Sequence, residues 1–203
     1  DRLAQWGPAP CYLSADAADQ ASLQRAYDDV RSRFGRIHGV VHAAIELLDK
    51  SIAQMDEDRF RQCLVAKVDV SVRIAQVFAA EPLDFVLFFS SLQSFSKAPG
   101  QSNYAAGCIF KDAFAQWLSR ALPCAVKVMN WGYWGGTGIV ASQTYRTRMA
   151  QLGIGSIEPA EGMAALERLL GGPLGQLAFI KATRARPAIV GSALLGEPAD
   201  SQT

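Results

Sequence analysis

One tyrosine in the sequence raises the question of which lysine could assist it. Residues 101–120 read QSNYAAGCIFKDAFAQWLSR, so Tyr104 is followed by Cys108 four positions later and by Lys111 seven positions later. A tyrosine hydroxyl can donate a proton to an oxygen that gains negative charge, and a nearby ammonium group lowers its pKa from about 10. The sequence therefore indicates either a proton donor assisted by a lysine elsewhere or a packed aromatic residue.

The elements that must position Tyr104 alternate along the chain. Apolar, β-prone runs predict buried strands at residues 10–16, 37–45, 83–91, 124–134 and 177–184. Stretches of helical period lie between them, at residues 19–35, 55–82, 103–122 and 157–172. This alternation predicts an α/β fold with a parallel sheet and right-handed crossovers. In such sheets ligands bind at the carboxyl ends of the strands.

Start and stop signals support the predicted helices. Asp56 is a predicted N-cap of one long helix over residues 55–82, and Pro159 stands near the start of the last helix. In the helix that follows Tyr104, five apolar residues predict the buried side, and Lys111 is then a surface residue. Those five are Ala106, Phe110, Ala113, Phe114 and Trp117.

Composition excludes several classes of partner. The 203 residues carry 20 basic and 19 acidic side chains, so no basic surface for nucleic acid or an anionic membrane is predicted. The four cysteines have no C-x-x-C spacing and only two histidines accompany them, so we predict no metal site and a reducing, cytoplasmic location. The longest apolar run is far too short to span a bilayer.

Three segments carry a resemblance to a known family. DFVLFFSS, GQSNYAAGCIFKDAFA and VMNWGYWG, in this order and at these separations, resemble the catalytic core of ketoreductase domains of modular polyketide synthases, within the short-chain dehydrogenase/reductase superfamily. The resemblance covers residues 11–184, and the middle segment most resembles synthases whose acyltransferases act in trans. It implies a Rossmann-like, doubly wound parallel sheet.

The resemblance also implies an activity and its partners. The expected reaction is the NADPH-dependent reduction, during polyketide biosynthesis, of the ketone of a β-ketoacyl or α-ketoacyl thioester to a hydroxyl. The substrate is expected on the phosphopantetheine arm of an acyl carrier protein, and neighbouring synthase domains are expected partners. A free-standing reductase of small molecules is disfavoured, because the family's lysine comes from an earlier helix.

The catalytic residues follow from the same resemblance. Tyr104 matches the proton donor, and Ser91 matches the residue that donates a hydrogen bond to the same oxygen. Lys67 matches the relocated lysine, which lowers the pKa of the tyrosine and binds the cofactor ribose. Cys108 stands where the family commonly has asparagine, and its thiol is a weaker hydrogen-bonding group.

Cofactor contacts are predicted from further matches. Asp16 resembles the aspartate that meets adenine, and Ile45 replaces a glycine that usually follows the ribose-lining segment. Residues 137–152 are predicted to form a mobile lid over the substrate. The ribose and nicotinamide contacts are expected from eight residues: His42, Ala43, Ala44, Lys67, Tyr104, Asn130, Trp131 and Gly132.

A phosphate-binding segment is missing from the sequence. No G-x-G-x-x-G occurs. In the strand order 3-2-1-4-5-6, the runs at residues 10–16 and 37–45 correspond to strands 3 and 4, so strands 1 and 2 are unaccounted for. We therefore predict that residues 1–190 are the C-terminal portion of a catalytic domain whose first βαβ segment lies upstream, and that residues 191–203 are a polar tail.

A second interpretation stays open. The chain could be a weak or inactive ketoreductase fold kept for a structural role, because Cys108 and Ile45 depart from the family pattern. The hand of the product is left unassigned, since the first aspartate of the family's Leu-Asp-Asp marker is replaced at Leu48, between Leu47 and Asp49.

Overall fold

A four-stranded parallel sheet forms the centre of the protein. The computed structural model describes residues 3–5, 7–96, 99–136 and 142–184. The strands are β1 (Gly39–His42), β2 (Phe85–Ser91), β3 (Ala125–Trp131) and β5 (Gln176–Phe179), in the order β1-β2-β3-β5. Two short strands, β4 (Ile154–Gly155) and β6 (Lys181–Ala182), pair antiparallel in a separate ribbon.

Helices cover both faces of this sheet. They are α1 (Gln20–Phe34), α2 (Glu57–Val65), α3 (Val68–Val77), α4 (Gln93–Ser96), α5 (Ser102–Ala121), α6 (Gln143–Gln151) and α7 (Pro159–Gly171), with short 3₁₀ turns at Leu3–Gln5 and Ile52–Gln54. The caps predicted at Asp56 and Pro159 are present. Among the described residues, no helix has the length and apolar character needed to cross a membrane.

The core is divided by the alternating side chains of the sheet. Phe88 and Val128 face a cluster that also holds residues of α3 and α5. Leu87 and Met129 face the other side, where they pack against α7. Because neighbouring residues of a strand point to opposite faces, runs that are apolar at every position bury both sides of the sheet. The predicted doubly wound arrangement is confirmed.

The first predicted strand is wrong. Residues 10–16 form no ladder in the described part of the chain, and Tyr12 is 88% exposed. An apolar run becomes a strand only beside another strand that accepts its backbone hydrogen bonds. Within the described residues β1 pairs only with β2, and no strand lies between β1 and residues 10–16.

The predicted long helix over residues 55–82 is interrupted. It divides into α2 and α3 at a turn formed by Ala66 and Lys67, where Lys67 (φ −114°, ψ −47°) stays in the right-handed region but with an unusually negative φ. The carbonyl of Lys67 accepts hydrogen bonds from the Ser71 hydroxyl and, at 3.4 Å, from His42 Nε2. Polar partners outside the regular ladder therefore stabilise the break, and a pattern of apolar residues could not reveal it.

The buried side of α5 is also not the predicted one. Trp117 is 57% exposed, whereas Lys111 is fully buried, so its prediction as a surface residue is wrong. The rings of Phe110 and Phe114 stack with their centroids 5.4 Å apart, and the ring of Trp117 lies tilted against Phe114 at 5.3 Å. These three rings lie on the flank of the helix. The face turned to the sheet carries Leu118 together with six small or polar residues, namely Asn103, Gly107, Cys108, Lys111, Asp112 and Ala115.

Candidate active site

A cavity of about 660 Å³ lies at the carboxyl ends of β2 and β3. The three predicted catalytic residues, Ser91, Tyr104 and Lys67, all line it, although they come from β2, α5 and the α2–α3 junction. Most of the remaining wall is apolar or aromatic and includes Ile45, Leu47, Trp131, Tyr133, Trp134, Tyr145, Met149, Met163 and Leu166. The geometry therefore places a few polar groups in an otherwise apolar cleft, as small-molecule sites require.

Ser91 is the last residue of β2 and is held by its neighbours. Its hydroxyl accepts a hydrogen bond from the backbone N–H of Gln93 at 3.2 Å, and Asn130 Nδ2 donates to its carbonyl at 3.1 Å. The hydroxyl of Ser90 instead donates to the carbonyl of Cys108 at 3.4 Å. Ser90 thus ties β2 to α5, while the Ser91 hydroxyl interacts with Tyr104 at the cavity wall.

Lys67 lies directly against Tyr104. Its Nζ stands 4.1 Å from the centre of the tyrosine ring, and the residue is only 2% exposed. Gly107 makes this possible, because a Cβ at that position would overlap Lys67 Cδ and lie 3.2 Å from Lys67 Cβ. The glycine in the middle of α5 therefore creates the space through which the lysine reaches the cavity.

The pKa of Tyr104 is raised, contrary to the predicted lowering by Lys67. Burial is the main cause, the neighbouring Cys108 adds to it, and hydrogen bonding with Ser91 opposes it. The lysine sits over the ring face, where its charge interacts with the π-electrons. The phenol is protonated at neutral pH with or without this shift, and the raised pKa makes it a weaker proton donor than a free tyrosine.

Cys108 is fully buried beside two lysines. Burial raises the pKa of its thiol, while Lys67 and Lys111 oppose the rise. A neutral thiol is a poor nucleophile and metal ligand. Among the residues that the structure describes, no cluster of ligands suited to a metal ion occurs. Cys108 therefore contributes packing and a weak hydrogen bond with Lys67.

Lys111 is a functional candidate that the sequence prediction missed. Its Nζ donates to the carbonyl of Phe89 at 3.0 Å and to that of Ala44 at 3.3 Å, and both acceptors line the cavity. Burial, reinforced by the charge of Lys67, lowers the pKa of Lys111 to about 7. Its spacing after Tyr104, seven residues, places both on one helix face, and this signal was present in the sequence.

The side chain of Asn130 is hydrogen-bonded to protein groups, and its predicted cofactor contact stays a prediction. It is fully buried, and its Nδ2 donates to Asp112 Oδ2 at 2.9 Å. Its Oδ1 accepts from Gln176 Nε2 at 2.7 Å. With these bonds and the one to Ser91, the amide is committed to protein partners and is absent from the described cavity wall. Asn130 thus positions the end of β2.

The other predicted cofactor residues divide into two groups. Ala43, Ala44, Trp131 and Gly132 line the cavity together with Lys67 and Tyr104. His42 is 1% exposed and lies behind the wall, against Phe88. Asp16 is exposed and accepts from the backbone of Ala18 at 2.9 Å, in the turn before α1. Neither His42 nor Asp16 belongs to the described cavity wall.

The cavity fits the nicotinamide and ribose portion of a dinucleotide. A Cβ at Gly132 would come within 2.7 Å of the carbonyl of Phe179, which accepts a hydrogen bond from the Gly132 N–H at 2.9 Å, so glycine is needed here for close packing of the backbone at the cavity wall. The Lys67 ammonium and the Ser91 hydroxyl provide hydrogen-bond donors for ribose and substrate oxygens. Ile45, 43% exposed, occupies the wall where the family has glycine. The residues that would hold the phosphates are not identified in this sequence.

The region predicted as a lid is partly helical. Ser142 caps α6 by accepting from the backbone of Tyr145 at 3.3 Å, and Tyr145 and Met149 contribute to the cavity wall. Residues 137–141 and the predicted tail at 191–203 lie outside the described residues. The predicted mobility of the lid stays a prediction.

His42 makes the stability of this site dependent on pH. Burial lowers the pKa of His42 to about 3, and the charge of Lys111 contributes. The unfolded chain binds a proton below about pH 6.5 while the folded chain does not, so the free energy of unfolding falls as pH drops from 6.5 towards 3. We expect a loss of about 2 kcal/mol between pH 6.5 and pH 5 from this residue. Denaturant unfolding at both pH values measures it.

The exposed His38 provides the matched control for that measurement. His42→Gln keeps a donor towards the Lys67 carbonyl but cannot titrate, so it is expected to remove the pH-dependent difference, whereas His38→Gln leaves it in place. Equal slopes for the parent and His42→Gln would show that another group causes the dependence.

Fold and site together define a reductase-like domain, and comparisons give its family. The doubly wound sheet with Ser91, Tyr104 and Lys67 at its carboxyl edge is that of a Rossmann-like short-chain dehydrogenase/reductase. The model of the family described as the KR domain matches residues 1–136 of the chain. The chain belongs to the ketoreductase domains of polyketide synthases.

Individual relatives agree with this family. The chain is 61% identical over 181 residues to polyketide synthase PksN of Bacillus subtilis (strain 168). The aligned region covers 89% of the chain and 3% of PksN. A crystal structure of a ketoreductase domain from the bacillaene assembly line superposes with a TM-score of 0.77 at 25% identity, over 84% of this chain and 42% of that one. The chain thus spans a small part of its curated relative.

A more distant structure shares the fold. A short-chain dehydrogenase from Burkholderia cenocepacia J2315, in complex with NADP, superposes with a TM-score of 0.69 at 22% identity. The match covers 82% of this chain and 74% of that one. At this identity the likeness shows the fold alone.

Proposed function

We propose that this chain carries the catalytic residues of an NADPH-dependent ketoreductase, which reduces the ketone of a β-ketoacyl thioester bound to an acyl carrier protein. One observation carries the proposal: Ser91, Lys67 and Tyr104 come from three separate elements and meet at one apolar cavity, with the tyrosine kept protonated. Residues that served only packing would have no reason to converge in this way.

Each of these side chains has a task in the reaction. A bound reduced nicotinamide supplies a hydride to the carbonyl carbon, and the carbonyl oxygen gains negative charge. Tyr104 donates its phenolic proton to that oxygen, so the carbonyl becomes a hydroxyl. Ser91 donates a hydrogen bond to the same oxygen and fixes its direction. Lys67 provides a positive charge beside the phenolate that Tyr104 leaves, which stabilises it.

The proposed choice of NADPH rests on the family and on the residues that would hold it. Ala43, Ala44 and Gly132 offer a close approach along the strand ends, and Lys67 is the donor for a ribose hydroxyl. A related fold binds NADP. These features support a nicotinamide cofactor, and family membership supports the phosphorylated form.

The phosphate-binding portion is proposed to come from an upstream ketoreductase segment. Within the described residues β1 has one paired edge only. Two apolar side chains in this part of the chain are exposed: Val41 of β1 at 48% and Phe34, the last residue of α1, at 61%. Additional strands beside β1 would cover this surface and satisfy its backbone groups. Neighbouring synthase domains and a carrier protein are the further proposed partners.

The apolar wall supports an acyl chain as substrate. Trp131 and Trp134 contact each other edge to face at 5.1 Å, and Met163 and Leu166 of α7 lie on the same cavity. A flexible acyl group delivered on a phosphopantetheine arm can bury its methylene groups there.

The competing function is a weak or inactive ketoreductase fold with a structural role. The observation in its favour is that Cys108, not an amide, faces Lys67. Against this alternative, Lys67 is buried against the ring of Tyr104, and Gly107 leaves the space that the lysine side chain occupies. A structural spacer would not require this arrangement.

Turnover of a β-ketoacyl thioester by the full-length polypeptide tests the proposal. We expect NADPH oxidation together with an equal amount of hydroxyacyl product, which is two hydrogens heavier by mass spectrometry. The Tyr104→Phe variant of the polypeptide measures the activity of any other ketoreductase domain, and this activity is subtracted from that of the parent. If the rate that depends on Tyr104 is zero while NADPH still binds, the chain is the inactive form.

A further inference from the structure

A second buried lysine lies directly behind the proposed catalytic residues. Lys111 has no exposed surface, and its Nζ donates hydrogen bonds to two carbonyls, of Phe89 and of Ala44. Burying an ammonium group is costly unless its donors are satisfied. A fully buried lysine in this position therefore requires an explanation beyond the packing of α5.

The two acceptors lie where β1 and β2 separate. The ladder between these strands ends at the pair His42 and Phe88. Phe89 and Ala44 come one and two residues beyond that pair, and both line the cavity. The ammonium group bridges the strands just past their last paired residues, where they diverge to form the cleft.

The surroundings of Lys111 are polar as well. Three neighbouring side chains affect the pKa of Lys111: Lys67 lowers it, whereas Cys108 and Asp112, both on the same helix as Lys111, raise it. His42, from β1, carries no charge at neutral pH because its pKa is lowered to about 3. The only carboxylate in this group, Asp112, accepts hydrogen bonds from Asn130 and Gln176. The carbonyls of Phe89 in β2 and of Ala44, two residues after β1, are thus the direct hydrogen-bond partners of Lys111.

We propose that Lys111 is a positioning residue of the reductase site, which bridges the diverging ends of β1 and β2 and thereby fixes Ser91 relative to the segment at residues 43–45. Ser91 is two residues beyond Phe89, so a change at the Phe89 carbonyl moves the hydroxyl that meets the substrate. This inference rests on the proposed function for its effect on rate, but the bridge itself does not depend on it.

Lys127 offers a matched control at the other end of the sheet. It is 8% exposed, and its Nζ donates to the carbonyls of Gly172 at 2.9 Å and Leu174 at 2.7 Å. Like Lys111 it is a buried lysine that joins two backbone carbonyls. It is absent from the described cavity wall. Lys127→Met and Lys111→Met therefore remove the same kind of interaction at places that differ only in their relation to the site.

Kinetics of both variants in the full-length polypeptide test the positioning role. For Lys111→Met we expect kcat to fall about tenfold or more, with KM for the thioester changed by less than about threefold, because an orientation in the transition state is lost and not ground-state binding. Lys127→Met is expected to keep kcat within about twofold. Each rate is the part of the NADPH oxidation that is lost when Tyr104→Phe is added, and it is divided by the fraction of the protein that is folded.

Hydrogen exchange followed by mass spectrometry gives a readout that does not require turnover. Lys111→Met is expected to accelerate exchange in peptides covering residues 42–48 and 89–95, and Lys127→Met in peptides covering residues 172–176. Equal losses of kcat in the two variants, or unchanged exchange at residues 42–48 and 89–95, would overturn the positioning role. If the parent shows no rate that depends on Tyr104, the proposed reductase function fails, and the exchange data alone decide whether Lys111 bridges the strands.

Discussion

Tyr104→Phe is expected to lower kcat for thioester reduction about a thousandfold, because the phenol is the proton donor and general acid catalysis contributes at this level. The aromatic ring against Lys67 is retained, so cofactor affinity and folding are expected to stay close to those of the parent. Single-turnover NADPH oxidation by the full-length polypeptide, with binding followed separately by NADPH fluorescence, separates the loss of chemistry from any loss of affinity.

Tyr27→Phe is the matched control for the loss of a tyrosine hydroxyl. Tyr27 donates to Glu81 Oε2 at 2.8 Å, in the contact between α1 and the end of α3, and has no part in the cavity wall. It is expected to lower stability slightly and to leave kcat within about twofold. A Tyr104→Phe protein with nearly full kcat would transfer the proton donation to another group and exclude the proposed mechanism.

That Ser91 and Tyr104 lie at one cavity was predictable from where the strands end. Ser91 ends an apolar run at the carboxyl edge, and Tyr104 lies in the first turn of α5. Parallel strands bring such positions to one edge of the sheet whatever their distance along the chain. Lys67 was found through the family pattern alone, since its role requires the break between α2 and α3.

Polar interactions explain most of what the sequence did not predict. The apolar pattern of α5 indicated a face containing Trp117, but the buried face holds Lys111 and Asp112, whose partners are backbone carbonyls and the amides of distant residues. Hydrophobic periodicity cannot register a charged side chain that is satisfied inside the protein.

The strand predicted at residues 10–16 failed for a different physical cause. Its apolar character is suited to a strand, but pairing depends on a neighbour that local sequence does not contain. Strand formation is a property of the sheet, whereas the predicted cap at Asp56 that begins α2 is local, with its carboxylate accepting from Arg59 N at 2.8 Å. Local signals were accordingly reliable where non-local ones were not.

Gly107→Ala is expected to separate activity from stability. In a helix interior alanine is favoured over glycine by about 1 kcal/mol, so helix propensity alone would stabilise α5. The added Cβ overlaps Lys67 Cδ and also lies 3.3 Å from Lys67 Cγ, and the lysine is too deeply buried to swing into solvent without vacating the site. The ammonium group must therefore move away from Tyr104.

Displacement of Lys67 by an ångström or more is expected to reduce kcat about a hundredfold, because catalytic groups act only in near-attack geometry. The midpoint of unfolding is expected to change little, since the gain in propensity offsets the local strain. Gly171→Ala, at the exposed end of α7, adds a Cβ that meets nothing within 4 Å and should leave kcat unchanged. A Gly107→Ala protein with parental kcat would mean that the position of Lys67 opposite Gly107 is not the one used in the reaction.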